Sequence, residues 1–151
     1  MSTMKKGKVN IRPMERKDVD VVLAIDRRSS PTRSILTRRE LTAYDPGGAF
    51  DLSFVAEVNS KVVGFVLARL TYAGMPVAEV GVIHTLVIDP DHRRQGISTR
   101  LLSALSSCCE TEGIGQLRAV VNERDPQLKG FFEKLGFRRS ELINYIKTFG
   151  C

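Results

Sequence analysis

A basic segment that contains a glycine, Arg93-Arg94-Gln95-Gly96-Ile97-Ser98, joins a predicted strand to a predicted helix. The first N–H groups of a helix have no partner within the helix, and the helix dipole places partial positive charge at this end. Gly96 has no Cβ, so the backbone there can adopt a positive φ and approach a ligand closely, while Arg93 and Arg94 can add charge-assisted hydrogen bonds. These residue types in this order predict a binding site for a phosphate or pyrophosphate group.

This segment differs from the two common nucleotide-binding loops. It lacks the Lys-Ser/Thr pair with which a nucleoside triphosphate loop holds phosphates and Mg²⁺, and the chain has no GxGxxG motif of a dinucleotide-binding fold. The cysteines and histidines also lack the spacing of a zinc site, so we expect no bound metal. The predicted ligand is therefore an anion held without a metal ion.

The same residues resemble the central motif of the GNAT superfamily of N-acetyltransferases, which reads Gln or Arg, two residues, Gly, one residue, then Gly or Ala. Ser98 departs from this pattern at the last position, but it is small. Leu86-Val87-Ile88-Asp89-Pro90 is similar to the strand end that precedes the loop in the family, and Phe131-Phe132-Glu133-Lys134-Leu135-Gly136-Phe137 resembles its later helix ending in Gly-Phe. The resemblance extends from about Val9 to the C-terminus.

The resemblance implies that the cofactor is acetyl-CoA. In the family the loop binds the pyrophosphate, and the preceding strand carries a bulge and splays from its neighbour to accept the pantetheine arm. A backbone N–H on that strand polarises the thioester carbonyl. The residues of this chain that the resemblance assigns to the cofactor are Leu86, Val87, Ile88, Arg93, Arg94, Gln95, Gly96, Ile97, Ser98, Thr99, Asn122 and Phe132.

Acetyl transfer also needs a base that leaves the acceptor amine neutral. His84 is one candidate, because it lies two residues before Leu86 on the strand where some family members place a His or Glu, and its ordinary pKa suits proton removal at neutral pH. Glu79 is the second candidate, farther along the strand and facing the opposite way, where it would act through water. Simpler interpretations are a structural hydrogen bond for His84 and a surface salt bridge for Glu79.

The resemblance assigns no residue of this chain to the protonation of the departing CoA thiolate. The family often uses a Tyr on the later helix, but the matching position here is Phe132, which has no proton to give. Water, Tyr145 or departure as the thiolate, whose pKa is about 8.5, are the alternatives. Asn122 is either a pantetheine contact or a turn residue.

Hydrophobic periodicity in the first half of the chain predicts a short strand at Val9 and Ile11, a helix over about 15–28 and a loop over 29–34. Thr37 and Glu40 form a capping box for a short helix that ends at Asp45-Pro46-Gly47-Gly48. The runs 50–57 and 61–72 predict two strands joined by a turn at Asn59-Ser60.

The second half predicts a strand over 77–88, a helix over 96–112 closed by Gly113, and a strand over 116–121, which together form a parallel crossover. Asp125 and Pro126 open a further helix that Gly136 ends, and 137–149 supplies one or two closing strands. We therefore expect an α/β fold of the GNAT type, with a twisted mixed sheet of six or seven strands flanked by about four helices. Residues 1–8 are expected to form a disordered basic leader and 9–151 a single domain.

Composition limits the remaining possibilities. The net charge of +6 favours an acidic partner. No apolar run is long enough to span a membrane and no secretory signal is evident, so we expect a cytoplasmic protein with no membrane partner. Three cysteines suggest reduced thiols, and helical phase places Cys108 or Cys109 in the core.

The predicted function is acetyl transfer to a primary amine. The candidates for this amine are a protein N-terminus, a lysine and a small molecule. The alternatives are a catalytically silent acetyl-CoA sensor and a basic nucleic-acid-binding module. We do not expect nucleic acid to be a partner. The oligomeric state is left open and includes a homodimer.

Overall fold

The computed structural model describes residues 7–29 and 36–150. The chain divides into two units, Met1–Val120 and Val121–Cys151. Most of the expected basic leader and the predicted loop after Ser29 lie outside the described residues. The extent of a single domain over 9–151 stays a prediction.

The first unit contains most of the regular structure. Its elements in chain order are β1 (Val9–Pro13), a 3-10 turn (Arg16–Asp18), α1 (Val19–Ser29), α2 (Arg38–Tyr44), β2 (Phe54–Val58), β3 (Lys61–Ala73), β4 (Ala78–Ile88), a second 3-10 turn (Pro90–His92), α3 (Ile97–Thr111) and β5 (Leu117–Ala119). The second unit contains α4 (Pro126–Lys134).

Local signals in the sequence position several of these elements. The Thr37 hydroxyl accepts a hydrogen bond from Glu40 N–H at 3.1 Å and the Glu40 carboxylate accepts one from Thr37 N–H, which confirms the capping box of α2. Asn59 and Ser60 both have positive φ, at 52° and 64°. A two-residue turn with positive φ at both positions matches the twist of the flanking strands, and β2 and β3 pair antiparallel on either side of it. The predicted hairpin is therefore confirmed.

The sheet has the order β1-β2-β3-β4-β5. Neighbours are antiparallel except β4 and β5, which are parallel through the pairs Gly81–Leu117 to Ile83–Ala119. The parallel pair requires a crossover connection, and α3 supplies it, as the sequence predicted. The mixed α/β fold is confirmed, although the described residues form five strands and not the six or seven expected.

Helices cover both faces of this sheet. The face toward α1 and α2 holds Phe65, Leu67 and Val87 in one apolar cluster with Val22 and Leu41. The opposite face receives α3, whose buried residues are Ile97, Leu101, Leu102, Leu105 and Cys109. Because side chains alternate along a strand, β3 and β4 contribute to the cores on both faces of the sheet.

The second unit begins its helix as the sequence predicts. The Asp125 carboxylate accepts a hydrogen bond from Leu128 N–H at 3.0 Å, with Pro126 at the first helical position, and Gly136 follows the helix with φ of +88°. Phe132 is buried and meets Phe131 and Phe137 edge to face, at centroid distances of 5.4 and 5.0 Å.

The predicted closing strands over 137–149 are wrong. Residues 137–150 have neither helix nor strand. Their apolar side chains, which suggested strands, are exposed; these are Leu142, Ile143, Tyr145, Ile146 and Phe149. A strand requires a hydrogen-bonded neighbour as well as suitable residues, and composition alone does not supply one.

Candidate active site

The loop after β4 is fixed to the sheet by a buried carboxylate. Asp89 N–H donates to Val63 O at 2.8 Å, and the Asp89 side chain, of which 4 % is exposed, accepts a hydrogen bond from Asp91 N–H at 3.0 Å. The same carboxylate forms an ion pair with Arg28 at the end of α1. Asp89 therefore joins β4, the 3-10 turn and α1 at one point, which positions the start of the basic segment.

The basic segment leads directly into the first turn of α3. Arg94 and Gly96 both have positive φ, at 64° and 72°, and Gly96 occupies the position before the first helical residue. Arg100 N–H donates to Gly96 O at 3.2 Å, so the N–H groups of the three residues between them have no acceptor within the helix. These three residues are Ile97, Ser98 and Thr99.

Space for an anion is present at Gly96. A Cβ built on this glycine meets no atom within 4 Å, so its outer side is open. Arg93, Arg94 and Gln95 are exposed beside it, and Ile97 is buried and anchors the helix start in the core. The arrangement combines open access, unpaired amides and two guanidinium groups, which is what a phosphate or pyrophosphate requires.

A β-bulge interrupts β4 immediately before this loop. Thr85 pairs with Leu67 and Ile83 pairs with Ala68, which leaves His84 as the extra residue on β4. On the other edge, β5 pairs with β4 only as far as Ile83. The bulge expected from the resemblance is confirmed, and the hydrogen-bonded pairing of β4 with β5 ends before residues 86–88, where the resemblance predicts an opening.

The bulge decides which backbone groups face this opening. Asp89 N–H points to β3, and backbone groups alternate along a strand, so the groups of Val87 also point to β3, where Val87 pairs with Phe65. The N–H and C=O groups of Leu86 and Ile88 then point to the opening. Consistent with this, Ile88 O accepts hydrogen bonds from Ser29 Oγ at 3.3 Å and Arg93 Nε at 3.4 Å.

His84 lies in a small polar and aromatic group on the α2 side of the sheet. Its ring meets Tyr44 edge to face, with centroids 5.2 Å apart and planes at 87°. Arg69, on β3, donates from Nη1 to Ala43 O at 2.9 Å at the end of α2. Burial lowers the pKa of His84 and the Arg69 charge lowers it further, so the imidazole is neutral at neutral pH. A neutral, partly exposed imidazole can accept a proton.

Glu79, the other predicted base, lies in a different environment. Its carboxylate accepts a hydrogen bond from the Tyr72 hydroxyl at 3.1 Å, which raises the pKa of Tyr72. Glu79 lies five positions before His84 on β4, or about 16 Å along the strand, and the alternation of side chains places Glu79 on the face of Gly81 and Ile83. The structure does not bring the two candidates together.

Three predicted residues lie in the second unit. The Asn122 side chain accepts a hydrogen bond from Arg124 N–H at 2.8 Å, an arrangement that closes a local turn. Phe132 belongs to the aromatic cluster described above, and Tyr145 is 91 % exposed. Cofactor contacts by Asn122 and Phe132 stay predictions of the resemblance.

The cysteines of α3 have a structural role. Cys109 is buried, as helical phase predicted for one of the pair, and Cys108 is partly buried. Burial raises the pKa of both thiols, with further contributions from Glu112 at Cys108 and from Cys108 at Cys109. Both thiols are therefore protonated at neutral pH and poor nucleophiles.

Sequence reasoning missed two residues beside His84, Tyr44 and Arg69. They lie on α2 and β3, separated from His84 by 40 and 15 positions, and only the packing of α2 on the sheet brings them to the bulge. No local motif marks either of them. Arg28 was missed for the same reason, because its partner Asp89 is far away in the chain.

Two further findings concern other kinds of site. Within residues 7–29 and 36–150, no group of three or more His, Cys, Asp or Glu side chains is arranged to hold a metal ion. None of the helices described is both long and apolar enough to cross a membrane.

Comparison with known proteins identifies the family. The acetyltransferase (GNAT) family matches residues 21–137, and the chain belongs to this family. An uncharacterized N-acetyltransferase of Methanocaldococcus jannaschii is 32% identical over 91 residues, which cover 60% of this chain and 40% of that protein. An N-alpha-acetyltransferase of Sulfurisphaera tokodaii is 26% identical over 151 residues, covering 93% of this chain and 87% of that protein.

An acetyltransferase of Pectobacterium atrosepticum is 32% identical over 100 residues, covering 66% of this chain and 64% of its own length. The chain thus spans less than two thirds of several relatives that it matches. Among solved structures, AAC(6')-Iy in complex with the bisubstrate analogue CoA-S-monomethyl-acetylneamine superposes with a TM-score of 0.79 at 14% identity, over 95% of this chain and 99% of that one.

The ribosomal-protein-S18-alanine N-acetyltransferase from Escherichia coli superposes with a TM-score of 0.74 at 21% identity, over 88% of this chain and 79% of that one. At these identities the superpositions establish the shared fold.

Proposed function

We propose that this protein is an acetyl-CoA-dependent N-acetyltransferase that acetylates a primary amine by direct attack in a ternary complex. One observation carries the proposal: the unpaired amides at the start of α3 and the open backbone edge of β4 lie at the two ends of one short loop, 89–96. A diphosphate joined to an extended amide-containing arm fits this combination.

The loop suits the pyrophosphate of the cofactor. The N–H groups of Ile97, Ser98 and Thr99 have no helical acceptor, and Gly96 leaves the approach to them open. Arg93, Arg94 and Gln95 are exposed beside them and can hydrogen-bond the same oxygens. Together these residues would hold a doubly charged group without a metal ion.

The end of β4 suits the pantetheine arm. Leu86 directs its N–H and C=O groups toward the opening beside β5, and Ile88 directs its N–H there, while Ile88 O is already occupied by Ser29 and Arg93. An extended amide chain can pair with these free groups as a neighbouring strand does. Acetyl-CoA supplies an activated thioester. A backbone N–H of Leu86 or Ile88 would donate to its carbonyl oxygen and so stabilise developing negative charge.

His84 is the proposed base. It is the bulged residue, two positions before Leu86, and its lowered pKa leaves it neutral and able to accept the proton of the attacking amine. Glu79 would have to act over about 16 Å of strand through water, so it is the weaker candidate. For the departing CoA sulfur we keep two alternatives, which are protonation by water and departure as the unprotonated thiolate.

The relatives support an amine acceptor. One is named an N-alpha-acetyltransferase, and the structural neighbours include aminoglycoside and ribosomal-protein-alanine N-acetyltransferases. A protein N-terminus, a lysine or a small-molecule amine is therefore the acceptor class that we propose. The free thiols Cys108 and Cys109 support a reducing, cytoplasmic location.

The decisive experiment uses two matched glycines. Gly96 and Gly113 flank α3 with nearly equal φ, +72° and +74°, and at both a Cβ would meet nothing within 4 Å. Gly96→Val and Gly113→Val should therefore cause similar backbone strain, but only Gly96→Val should weaken acetyl-CoA binding in calorimetry. Equal affinities in the two folded variants would refute the loop assignment.

Turnover separates the enzyme from a silent sensor. The wild-type protein should release free CoA thiol from acetyl-CoA when offered a panel of primary amines. Binding of acetyl-CoA without thiol release for any amine would identify a sensor. Binding of nucleic acid with steep salt dependence and no binding of acetyl-CoA would identify the basic-module alternative.

A further inference from the structure

The surroundings of His84 carry positive charge that the proposed mechanism does not use. Arg69 pairs with Val82 across β3 and β4, and Val82 pairs with Arg118 across β4 and β5. Directly paired residues point to the same face of a sheet, so both side chains leave the sheet on the face of His84. The Arg118 guanidinium then lies beside Gln116 and Gly74, toward the β3–β4 turn, which leaves Arg69 as the cation closer to His84.

Neither guanidinium is neutralised in the described part of the chain. Arg69 donates to a backbone carbonyl oxygen, that of Ala43 at 2.9 Å, and Arg118 donates to the amide oxygen of Gln116 at 2.9 and 3.1 Å. Each of these acceptors is uncharged, and a guanidinium has five N–H donors. Both groups thus keep their charge and have donors left for a ligand.

The carboxylates nearby accept hydrogen bonds from backbone amides and form no ion pair with Arg69 among the described residues. Asp51 pairs with Arg69 in an isolated bridge, but its two oxygens accept hydrogen bonds from Gly47 N–H at 2.9 Å and Ser53 N–H at 3.0 Å. Glu40 accepts a hydrogen bond from Thr37 N–H in the capping box of α2. Arg69 is accordingly the charge that acts on the His84 imidazole.

We propose that this site selects an amine that also carries an anionic group, and that Arg69 is the specificity residue that recognises this group. The inference rests on the proposed function and names its acceptor class. An acceptor with a carboxylate or phosphate beside its amine would place the anion on Arg69 while the amine faces His84. A polycationic acceptor would instead meet a fixed positive charge where its second amine must lie.

The position of Arg69 also favours the chemistry. In the free site Arg69 lowers the pKa of His84, which keeps the imidazole neutral, and an anion bound to Arg69 would offset this charge and make the imidazole a stronger base once the acceptor is in place. Tyr44 keeps the imidazole in place by its edge contact, and burial keeps its own hydroxyl protonated, so it adds no charge.

The test compares matched amines that differ only in the anion. Suitable pairs are β-alanine with β-alanine amide, phosphoethanolamine with ethanolamine, and an acidic tripeptide with its neutral amide counterpart, with spermidine as the polycation. We expect kcat/KM for the anionic member of at least one pair to exceed that of its neutral partner by about tenfold or more. Which pair responds distinguishes a carboxylate from a phosphate and a peptide from a small molecule.

Arg69→Gln should abolish this preference by raising KM for the anionic acceptor, with little change for its neutral partner, and Arg69→Lys should retain most of it. Lys61→Gln is the control, since it removes one exposed positive charge at the start of the same strand. Preference for neutral amines or spermidine in the wild-type protein, or an equal loss for all acceptors in Arg69→Gln, would overturn the proposal.

A binding measurement separates this proposal from the proposed function. NMR titration of the His84 imidazole should show a higher pKa in Arg69→Gln, and the His84 resonance of the wild-type protein should shift with the anionic amine more than with its neutral partner. This readout needs no turnover. Absence of CoA release would refute the enzyme, whereas equal shifts with both members of every pair would refute the recognition of the anion.

Discussion

Arg28 at the end of α1 forms an ion pair with the carboxylate of Asp89 at the end of β4. The pair links two residues that are 61 positions apart in the sequence. Ser29 strengthens the same junction, because its hydroxyl donates to Ile88 O at 3.3 Å. The loop proposed to bind the cofactor is thus fixed by α1, which packs on the same face of the sheet as His84, as well as by β4.

Removal of Arg28 should therefore weaken both the fold and the loop. Arg28→Ala leaves the buried Asp89 carboxylate with one hydrogen bond from Asp91 N–H, and should lower the free energy of unfolding by about 2 kcal/mol in urea denaturation. It should also reduce acetyl-CoA affinity in calorimetry. Arg27→Ala, at the neighbouring exposed position, is the control; an equal effect there would assign the loss to the helix and not to the ion pair.

Replacement of His84 should separate catalysis from cofactor binding. His84→Ala should lower kcat about 100-fold or more and leave acetyl-CoA affinity unchanged, because a base assists proton transfer and does not hold the cofactor. In the wild-type protein the acid limb of the pH–rate profile should lie below about pH 6.5, since burial and Arg69 lower the pKa of His84. An unaltered profile in the variant would exclude His84 as the base.

The hydroxyl of Tyr44 should make stability depend on pH under alkaline conditions. Burial raises the pKa of Tyr44 to about 12, against the opposing effect of Arg69. In the unfolded chain the hydroxyl loses its proton near its ordinary pKa of about 10, so the free energy of unfolding should fall as pH rises from about 10 to 12. Tyr44→Phe should remove this contribution to the pH dependence; the same slope in both proteins would show that Tyr44 is not its source.

An ion-pair network at β1 should control stability in acid. Arg12 donates to both oxygens of Asp18 at 2.8 Å and to Glu57 at 2.7 Å. Burial raises the pKa of Asp18, but the hydrogen bonds from Arg12 and from Glu15 N–H outweigh it, and the net effect is a lowered pKa. The stabilisation is complete above the ordinary Asp pKa of about 3.9 and is lost as pH falls through the lowered value.

Asp18→Asn should therefore lower the free energy of unfolding at pH 7 by about 3 kcal/mol and flatten its dependence on pH in the acid range. Urea denaturation at several pH values measures both effects. Asp20→Asn, on the exposed side of α1 with its partner Arg38 also exposed, should have a much smaller effect. Comparable losses in the two variants would contradict a special role for the Arg12 network.

Local signals in the sequence predicted much of the first unit. The capping box of Thr37, the hairpin turn at Asn59 and the helix that starts after Gly96 each depend on residues within a few positions of one another, and the structure has all three. The crossover through α3 follows from the order of these elements. The position of the loop between a strand and a helix was predictable because adjacent residues encode it, whereas its binding of the cofactor stays a prediction.

Other features depend on contacts that adjacent residues do not encode. The group of Tyr44, Arg69 and His84 forms only when α2 packs over β3 and β4. Residues 137–149 have the composition of strands but no hydrogen-bonded neighbour, so their prediction failed. The number of residues in β4 shows neither where the bulge falls nor which backbone groups it turns outward; the register with β3 determines both.

The extra residue in β4 makes this strand sensitive to changes in chain length. Deletion of His84 would restore continuous pairing with β3, because Ile83 and Thr85 already pair with the adjacent residues Ala68 and Leu67. Val87 would keep its partner Phe65, but the strand would lose both the proposed base and the local bend that an extra residue creates. We would therefore expect functional homologues to vary in length at the β3–β4 hairpin tip, and to keep the count between residues 83 and 88 constant.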